Sequence, residues 1–298
     1  MDFETKVEVE TGALLKLVFK VGEKKMANFE RVIGSTVRSP LRITRLFAST
    51  HFGYQMVDET EKQARVDRVF TGVARKYDIM NDSMSAGIHR IWKNFFVYRM
   101  MPTVNLSFLD VCGGTGDIAM RIAKFSKNIE NPSGATIPKV TVCDINREMI
   151  EVGKEKAYQA GMSEINWVQG NAENLPFEDN QFDVYTVAFG IRNCTHVDKV
   201  LEEAYRVLKP GGRFFCLEFS RVNNFVLRAL YDAYSMQIIP VIGKVVANDW
   251  HSYRYLVESI RRFPNQYEYA GMIEDAGFRN VQFTNYTFGV AAVHMGVK

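Results

Sequence analysis

LSFLDVCGGTGD, residues 106–117, decides how the rest of the chain is read. Leu106 to Val111 is largely apolar, short and cut off by a turn signal, which predicts a buried parallel strand. Gly113, Gly114 and Gly116 then allow a tight turn and let the backbone approach a ligand with no Cβ in the way. From Asp117 the periodicity becomes helical, with Ile118, Ile122 and Phe125 on one face. Strand, glycine turn and helix make the first unit of a doubly wound sheet, whose ligands sit beyond the carboxyl ends of the strands.

Because the turn reads G-G-T-G rather than G-x-G-x-x-G, taken alone it admits a nicotinamide dinucleotide, S-adenosylmethionine or a purely structural turn. The flanking sequence narrows this. KVTVCD (139–144) reads as the second strand and ends at Asp144, where an acid can accept from both hydroxyls of a ribose. That acid lies further from the glycines than usual, and an insertion carrying Asn131-Pro132-Ser133-Gly134 accounts for the excess. Capping of the next helix is the alternative use of Asp144. Residues 146–160 read as a helix closed by Gly161. INWVQG (165–170) is a third strand delivering Asn171-Ala172-Glu173, where an amide can read an adenine edge or simply form a turn. FDVYTVAFG (182–190) is a nearly continuous apolar fourth strand that opens into Ile191-Arg192-Asn193. After a helix at 198–208, RFFCLEFS (213–220) is the fifth strand, ending in Glu218 and Ser220.

Such alternation predicts a parallel α/β sheet. VQFTNYTFG (281–289) and VAAVHMGV (290–297) follow as an antiparallel pair closing its edge. A seven-stranded, mostly parallel sheet with an antiparallel last strand is the Rossmann-like plan of class I S-adenosylmethionine-dependent methyltransferases. Nicotinamide-binding folds lack that hairpin.

Apolar content of 47% and charged content of 24% are those of an ordinary globular chain of 298 residues. A net charge of +3 gives no argument for a nucleic-acid partner. Cys112, Cys143, Cys194 and Cys216 are dispersed without C-x-x-C spacing, so free thiols are expected rather than disulfides or a metal site. Residues 26–50 carry Arg31, Arg38, Arg42 and Arg45, six hydroxyl residues and the single acid Glu30. That is the composition of a mitochondrial transit peptide, with Met26 as an alternative or true start and cleavage shortly after Arg45, or else of a disordered basic tail. Residues 1–55 are therefore expected to be leader, and 56–298 a single domain.

Within that domain, residues 58–104 predict helices ahead of the sheet, broken at Asn81-Asp82-Ser83, with Phe95 and Phe96 read as core. Tyr77, Asp78, Asn81 and His89 are candidates for a pocket mouth. Residues 222–265 form an apolar helical lid over the strand ends, in which Tyr231, Tyr234, Met236, Ile238, Ile239, Val241, Tyr253, Tyr255 and Leu256 could wall a pocket, pack on the sheet or form a homodimer contact.

YDIMNDSMSAGIHRIW (77–92) and RVLKPGGRFFCLEFS (206–220) resemble paired signatures of the ubiquinone/menaquinone-biosynthesis C-methyltransferases. AFGIRNCTH (188–196) and YRYLVESIRRFP (253–264) are similar to further blocks of that family, and the resemblance spans about residues 65–298. With the transit-like leader, it points to the mitochondrial branch acting in coenzyme Q synthesis. The resemblance implies S-adenosyl-L-methionine as methyl donor and 2-methoxy-6-polyprenyl-1,4-benzoquinol as acceptor. It also implies peripheral contact with the matrix side of the inner membrane and a multi-subunit biosynthetic assembly. Family cofactor contacts fall on Thr115, Asp144, Asn171, Ala172 and Ala188, beside the turn glycines Gly113, Gly114 and Gly116. At Ala188 some members carry serine, so only a backbone contact survives there. The family's catalytic neighbourhood falls on Tyr77, Arg192 and Asn193. A naphthoquinol acceptor is the nearest alternative, and the leader argues against it.

Overall fold

Residues 49–103, 105–127, 138–247 and 250–298 are described by a computed structural model. Strands β1 (Ser49–Phe52) and β2 (Gln55–Asp58) form a small hairpin. It leads into helices α1 (Glu59–Val73), α2 (Tyr77–Ser85) and α3 (Ile88–Met100). The sheet then builds through β3 (Ser107–Val111), α4 (Asp117–Lys127), β4 (Lys139–Asp144), α5 (Arg147–Gln159) and β5 (Asn166–Gln169). It continues through β6 (Phe182–Ala188), α6 (Val197–Val207) and β7 (Leu208–Phe219). Three helices follow: α7 (Phe225–Ala233), α8 (Ile239–Ala247) and α9 (Trp250–Arg262). The chain ends in α10 (Gln266–Asp275), β8 (Arg279–Tyr286) and β9 (Ala291–Val297).

The strand order is β5-β4-β3-β6-β7-β9-β8, parallel except for β9, which runs antiparallel to both neighbours. Period-two alternation divides the core between two faces. Phe108, Val184 and Phe215 pack against α3 and α4, whereas Leu109, Tyr185 and Phe214 pack against α6 and α10. Strand order reverses between β3 and β6, so a crevice opens beyond their carboxyl ends.

The terminal pair closes the edge of the sheet as an antiparallel hairpin, with β9 inside, paired to β7, because Ala291, Ala292 and Val293 can be buried on both faces. Three expectations change. Asn81, Asp82 and Ser83 lie inside α2, and the break falls at Gly87, whose φ of 79° suits glycine. Phe96 is core, but Phe95 is 55% exposed. Phe52 and Tyr54, which the sequence groups with residues 1–55, pack on the domain instead. Phe52 stacks on Tyr255 at 4.0 Å between ring centroids, and Tyr54 N donates to Glu258 Oε2 at 3.0 Å, so the hairpin clips onto α9. Residues 1–48, which hold the transit-like segment, and the 131–134 insertion lie outside the described residues.

Gly116 has φ 76°, and a Cβ there would sit 2.4 Å from the Trp167 ring. Left-handed strain and overpacking each cost about 1–3 kcal/mol. Gly116→Ala should therefore lower unfolding stability by about 2–4 kcal/mol, read as a reduced urea midpoint with unchanged slope.

Candidate active site

The glycine turn aims its backbone at the crevice. Gly114 N donates to Asp144 Oδ2 and Asn146 N donates to Asp144 Oδ1, both at 2.8 Å. An ionised carboxylate has about four acceptor sites, so these backbone donors leave room for a ligand hydroxyl. Burial pushes the Asp144 carboxyl up, and backbone N–H groups of Asn146 and Gly114 oppose the shift. A Cβ on Gly113 would fall 2.7 Å from Val142 and 2.9 Å from Asp110 Oδ2. Gly113, Gly114, Thr115, Asp144, Asn171, Ala172 and Ala188 all line this one cleft, joined by Tyr77 and Asn193. Gly116 does not line it: the residue sits behind the turn against Trp167, so its part is packing rather than ligand contact.

Helix α1 covers the cleft. Asn146 Nδ2 donates to Asp67 Oδ1 at 2.7 Å and to Thr71 Oγ1 at 2.8 Å, while Lys62 Nζ donates to the Cys194 carbonyl at 2.8 Å. Two acids missed in the sequence complete the cleft. Asp110 is fully buried; Thr186 Oγ1 donates to its Oδ1 at 2.8 Å, and its Oδ2 has no partner. Burial pushes Asp110 up to about 7, against the pull of the Thr186 hydrogen bond. Asp117 is raised by burial, but Lys93 and Arg121, each 2.8 Å away, more than offset that and hold it at about 2. An acid inside the apolar run Phe108-Leu109-Asp110-Val111 was a readable signal, whereas the Lys93–Asp117 pairing spans two elements and had none.

A second cavity of about 430 Å³ lies alongside. Phe70, Tyr77, Lys93, Phe189 and Asn193 line both spaces and form the wall between them. Arg192 lines only the second. Its Nη1 donates to Glu218 Oε1 at 2.9 Å and to the Phe189 carbonyl, and the guanidinium lies 5.3 Å over the Phe219 ring. Both side chains of this ion pair are at most 5% exposed, and Arg192 Nε is buried with no partner. Asn193 Oδ1 accepts from the Tyr255 hydroxyl at 3.0 Å, which fixes the amide.

Tyr77, Asn81 and His89 do line this cavity, but Asp78 does not: it pairs with Lys156 at 2.6 Å instead. His89 Nδ1 lies 3.0 Å from Ser85 Oγ, and burial, reinforced by the Lys93 charge, brings the imidazole down to about 4. From the lid come Tyr231, Tyr234, Ile239, Tyr253, Tyr255 and Leu256. Met236, Ile238 and Val241 point outward instead and are exposed. The four cysteines are free, as expected, with Cys112 and Cys194 sulfurs 4.0 Å apart.

A glycine cradle, an acid at the end of β4 and an unpartnered buried carboxylate oxygen suit a cationic nucleoside cofactor, and together with the sheet they define an S-adenosylmethionine-dependent methyltransferase. Residues 57–298 match the model of the ubiE/COQ5 methyltransferase family, and the chain belongs to that family. It is 50% identical, over 93% of each chain, to the mitochondrial 2-methoxy-6-polyprenyl-1,4-benzoquinol methylase of Rattus norvegicus. Identity to the Homo sapiens protein of the same name is 52%, covering 84% of this chain and 85% of that one. Among solved structures, an S-adenosylmethionine-dependent methyltransferase of Thermotoga maritima shares the fold at a TM-score of 0.54 and 18% identity, covering 78% of this chain and 99% of that one. One from Methanococcus maripaludis does so at 0.52 and 19%, covering 76% and 93%.

The Asp110 carboxyl titrates near 7 when folded and near 3.8 in a free chain, so its contribution is complete below about pH 4 and is lost as pH rises towards 7. In the cofactor-free protein, Asp110→Asn should remove a loss on the order of 4 kcal/mol between pH 4 and pH 8. Urea unfolding at the two pH values measures it, and an unaltered pH dependence in the variant would remove Asp110 as its source.

Proposed function

We propose that the chain methylates the ring carbon beside the prenyl chain of 2-methoxy-6-polyprenyl-1,4-benzoquinol, in coenzyme Q synthesis. The mitochondrial methylases that it matches over most of both lengths support this acceptor. The observation that carries the chemistry is the buried Arg192–Glu218 pair, set in an apolar cavity that shares a wall with the cofactor cleft.

S-adenosylmethionine supplies an electrophilic methyl carbon. Thr115, Asp144, Asn171, Ala172 and Ala188, with Gly113 and Gly114, hold it in the cleft. The chain's remaining task is to make a ring carbon nucleophilic. A hydroquinol hydroxyl titrates roughly where tyrosine does, near 10, so the site must favour its ionised form at neutral pH. Arg192 keeps an unused N–H at Nε and cannot act as a proton acceptor, so it stabilises the phenolate as a donor. Glu218 holds the guanidinium in place, while Tyr77 and Asn193 on the shared wall set the acceptor ring against the methyl group. His89 lines the cavity whereas Asp78 is turned away to Lys156, which favours His89 as the proton acceptor. Tyr231, Tyr234 and Leu256 exclude water, which strengthens each of these interactions.

In the cell the enzyme works in mitochondria, peripherally on the matrix side of the inner membrane and within a multi-subunit biosynthetic assembly. That setting rests on the names of the mitochondrial relatives and on the family resemblance.

Labelled S-adenosylmethionine and a short-tailed methoxy-prenyl benzoquinol kept reduced should yield a carbon-methylated product that disappears when the quinone is oxidised. Arg192→Ala should lower turnover by about 100–1,000-fold, the scale of one lost anion-stabilising donor. Cofactor affinity, read by calorimetry, should change by less than about threefold; equal losses in both would take Arg192 out of its assigned place.

A further inference from the structure

Helices α7 and α8 and the turn between them are apolar on both sides. Inward, they give Tyr231, Tyr234 and Ile239 to the acceptor cavity. Outward, Phe225, Val226, Leu230, Met236, Ile238 and Val241 are 42–75% exposed. A helix covering a globular core ordinarily turns polar residues to water, and a contiguous apolar outer face marks a contact surface.

A cleft borders that face, bounded by the end of β7 and by α7 and α9. Arg221, Arg228 and Arg262 line it with the acids Asp232 and Glu268; none of these three arginines makes an ion pair among the described residues, although Arg262 lies 5.7 Å over the Tyr54 ring. Arg261 is engaged by Asp232 at 2.7 Å. Ser220, which lines the same cleft, carries a buried hydroxyl without a hydrogen-bond partner. Unpaired guanidinium groups and an orphaned hydroxyl are suited to the oxygens of a phosphodiester.

We propose that the outer face of α7–α8 and the arginine cleft beside it dock the enzyme on a bilayer containing anionic phospholipid. The apolar side chains enter the acyl boundary, while the arginines and Ser220 receive headgroup phosphate. An apolar helix face flanked by basic residues is the pattern of an interfacial helix, and unpaired positive charge complements an anionic leaflet. The opposite side of the same helices walls the acceptor cavity, so a polyprenyl chain can pass from bilayer to cavity beneath a lid one helix thick. The substrate in that last step rests on the benzoquinol reading; the docking surface does not.

Flotation of the full chain with vesicles of phosphatidylcholine, alone or with about a third phosphatidylglycerol, tests this directly. Binding to the anionic vesicles should be at least tenfold tighter and should weaken with salt. A Phe225→Glu/Leu230→Glu variant and an Arg228→Glu/Arg262→Glu variant should each lose at least tenfold in vesicle affinity. Both should keep turnover on a soluble short-tailed quinol, which shows that they remain folded. Unchanged vesicle binding in both variants would overturn the proposal. So would a dimer, seen by sedimentation velocity, that the Phe225→Glu/Leu230→Glu pair of changes dissociates without altering vesicle affinity. Vesicle binding without any quinol turnover would leave the surface standing and count against the substrate alone.

Discussion

The Arg192–Glu218 ion pair is the constraint on which the active site depends. It joins the loop after β6 to the end of β7, the two strands that flank the crevice on one side of the switch point. Burial pushes the Glu218 carboxyl up and the Arg192 charge opposes that shift, so each group is tolerable only because of the other. Removing one partner of such a pair costs about 3–5 kcal/mol, because the remaining charge is left buried. The pair is nearly neutral as a unit. In the proposed chemistry, what it offers an acceptor is not a free positive charge but a rigid N–H donor at Nε, buried without a partner in the cavity wall.

Around that donor, the molecule divides its work between two spaces. The cleft above the glycine turn presents backbone N–H groups and carboxylates among apolar side chains; the adjoining cavity is walled almost wholly by aromatic and aliphatic side chains. Phe70, Tyr77, Lys93, Phe189 and Asn193 belong to both, so the groups among the described residues that can touch cofactor and acceptor at once are few and mostly held by other contacts. Lys93 is fixed by Asp117 and Asn193 by Tyr255, and Tyr255 is stacked in turn on Phe52 of the opening hairpin. Residues 49–58, far from these residues in sequence, thus brace the wall between the two spaces.

Much of this could be read from the sequence, for definite reasons. The glycine turn announces itself because glycine is required there, and β3, β4 and β6 announce themselves because strands buried on both faces have near-continuous apolar runs. The residues that line the cleft follow, since each sits at or just beyond a strand end whose position the pattern fixes. What the sequence hid were pairings between distant elements: Lys93 with Asp117, Arg192 with Glu218, and the hairpin with α9. Glu218 was visible as an acid at a strand end, but nothing in its spacing named its partner. Asn81-Asp82-Ser83 misled because turn-forming residues are tolerated within a helix whose break is enforced later by Gly87. On the lid, local apolarity could not separate Ile239, which faces the cavity, from Ile238 beside it, which faces outward.

Binding of the acceptor as a phenolate through Arg192 is the step on which the proposed chemistry turns. The most direct measurement is an ultraviolet titration of a bound phenol whose acceptor carbon already carries a methyl group, taken in the presence of cofactor so that no turnover occurs. The bound phenol should show an apparent pKa at least about one unit below that of the free phenol, with most of the drop lost in Arg192→Met. A bound phenol titrating at or above its free value would contradict phenolate binding at this site.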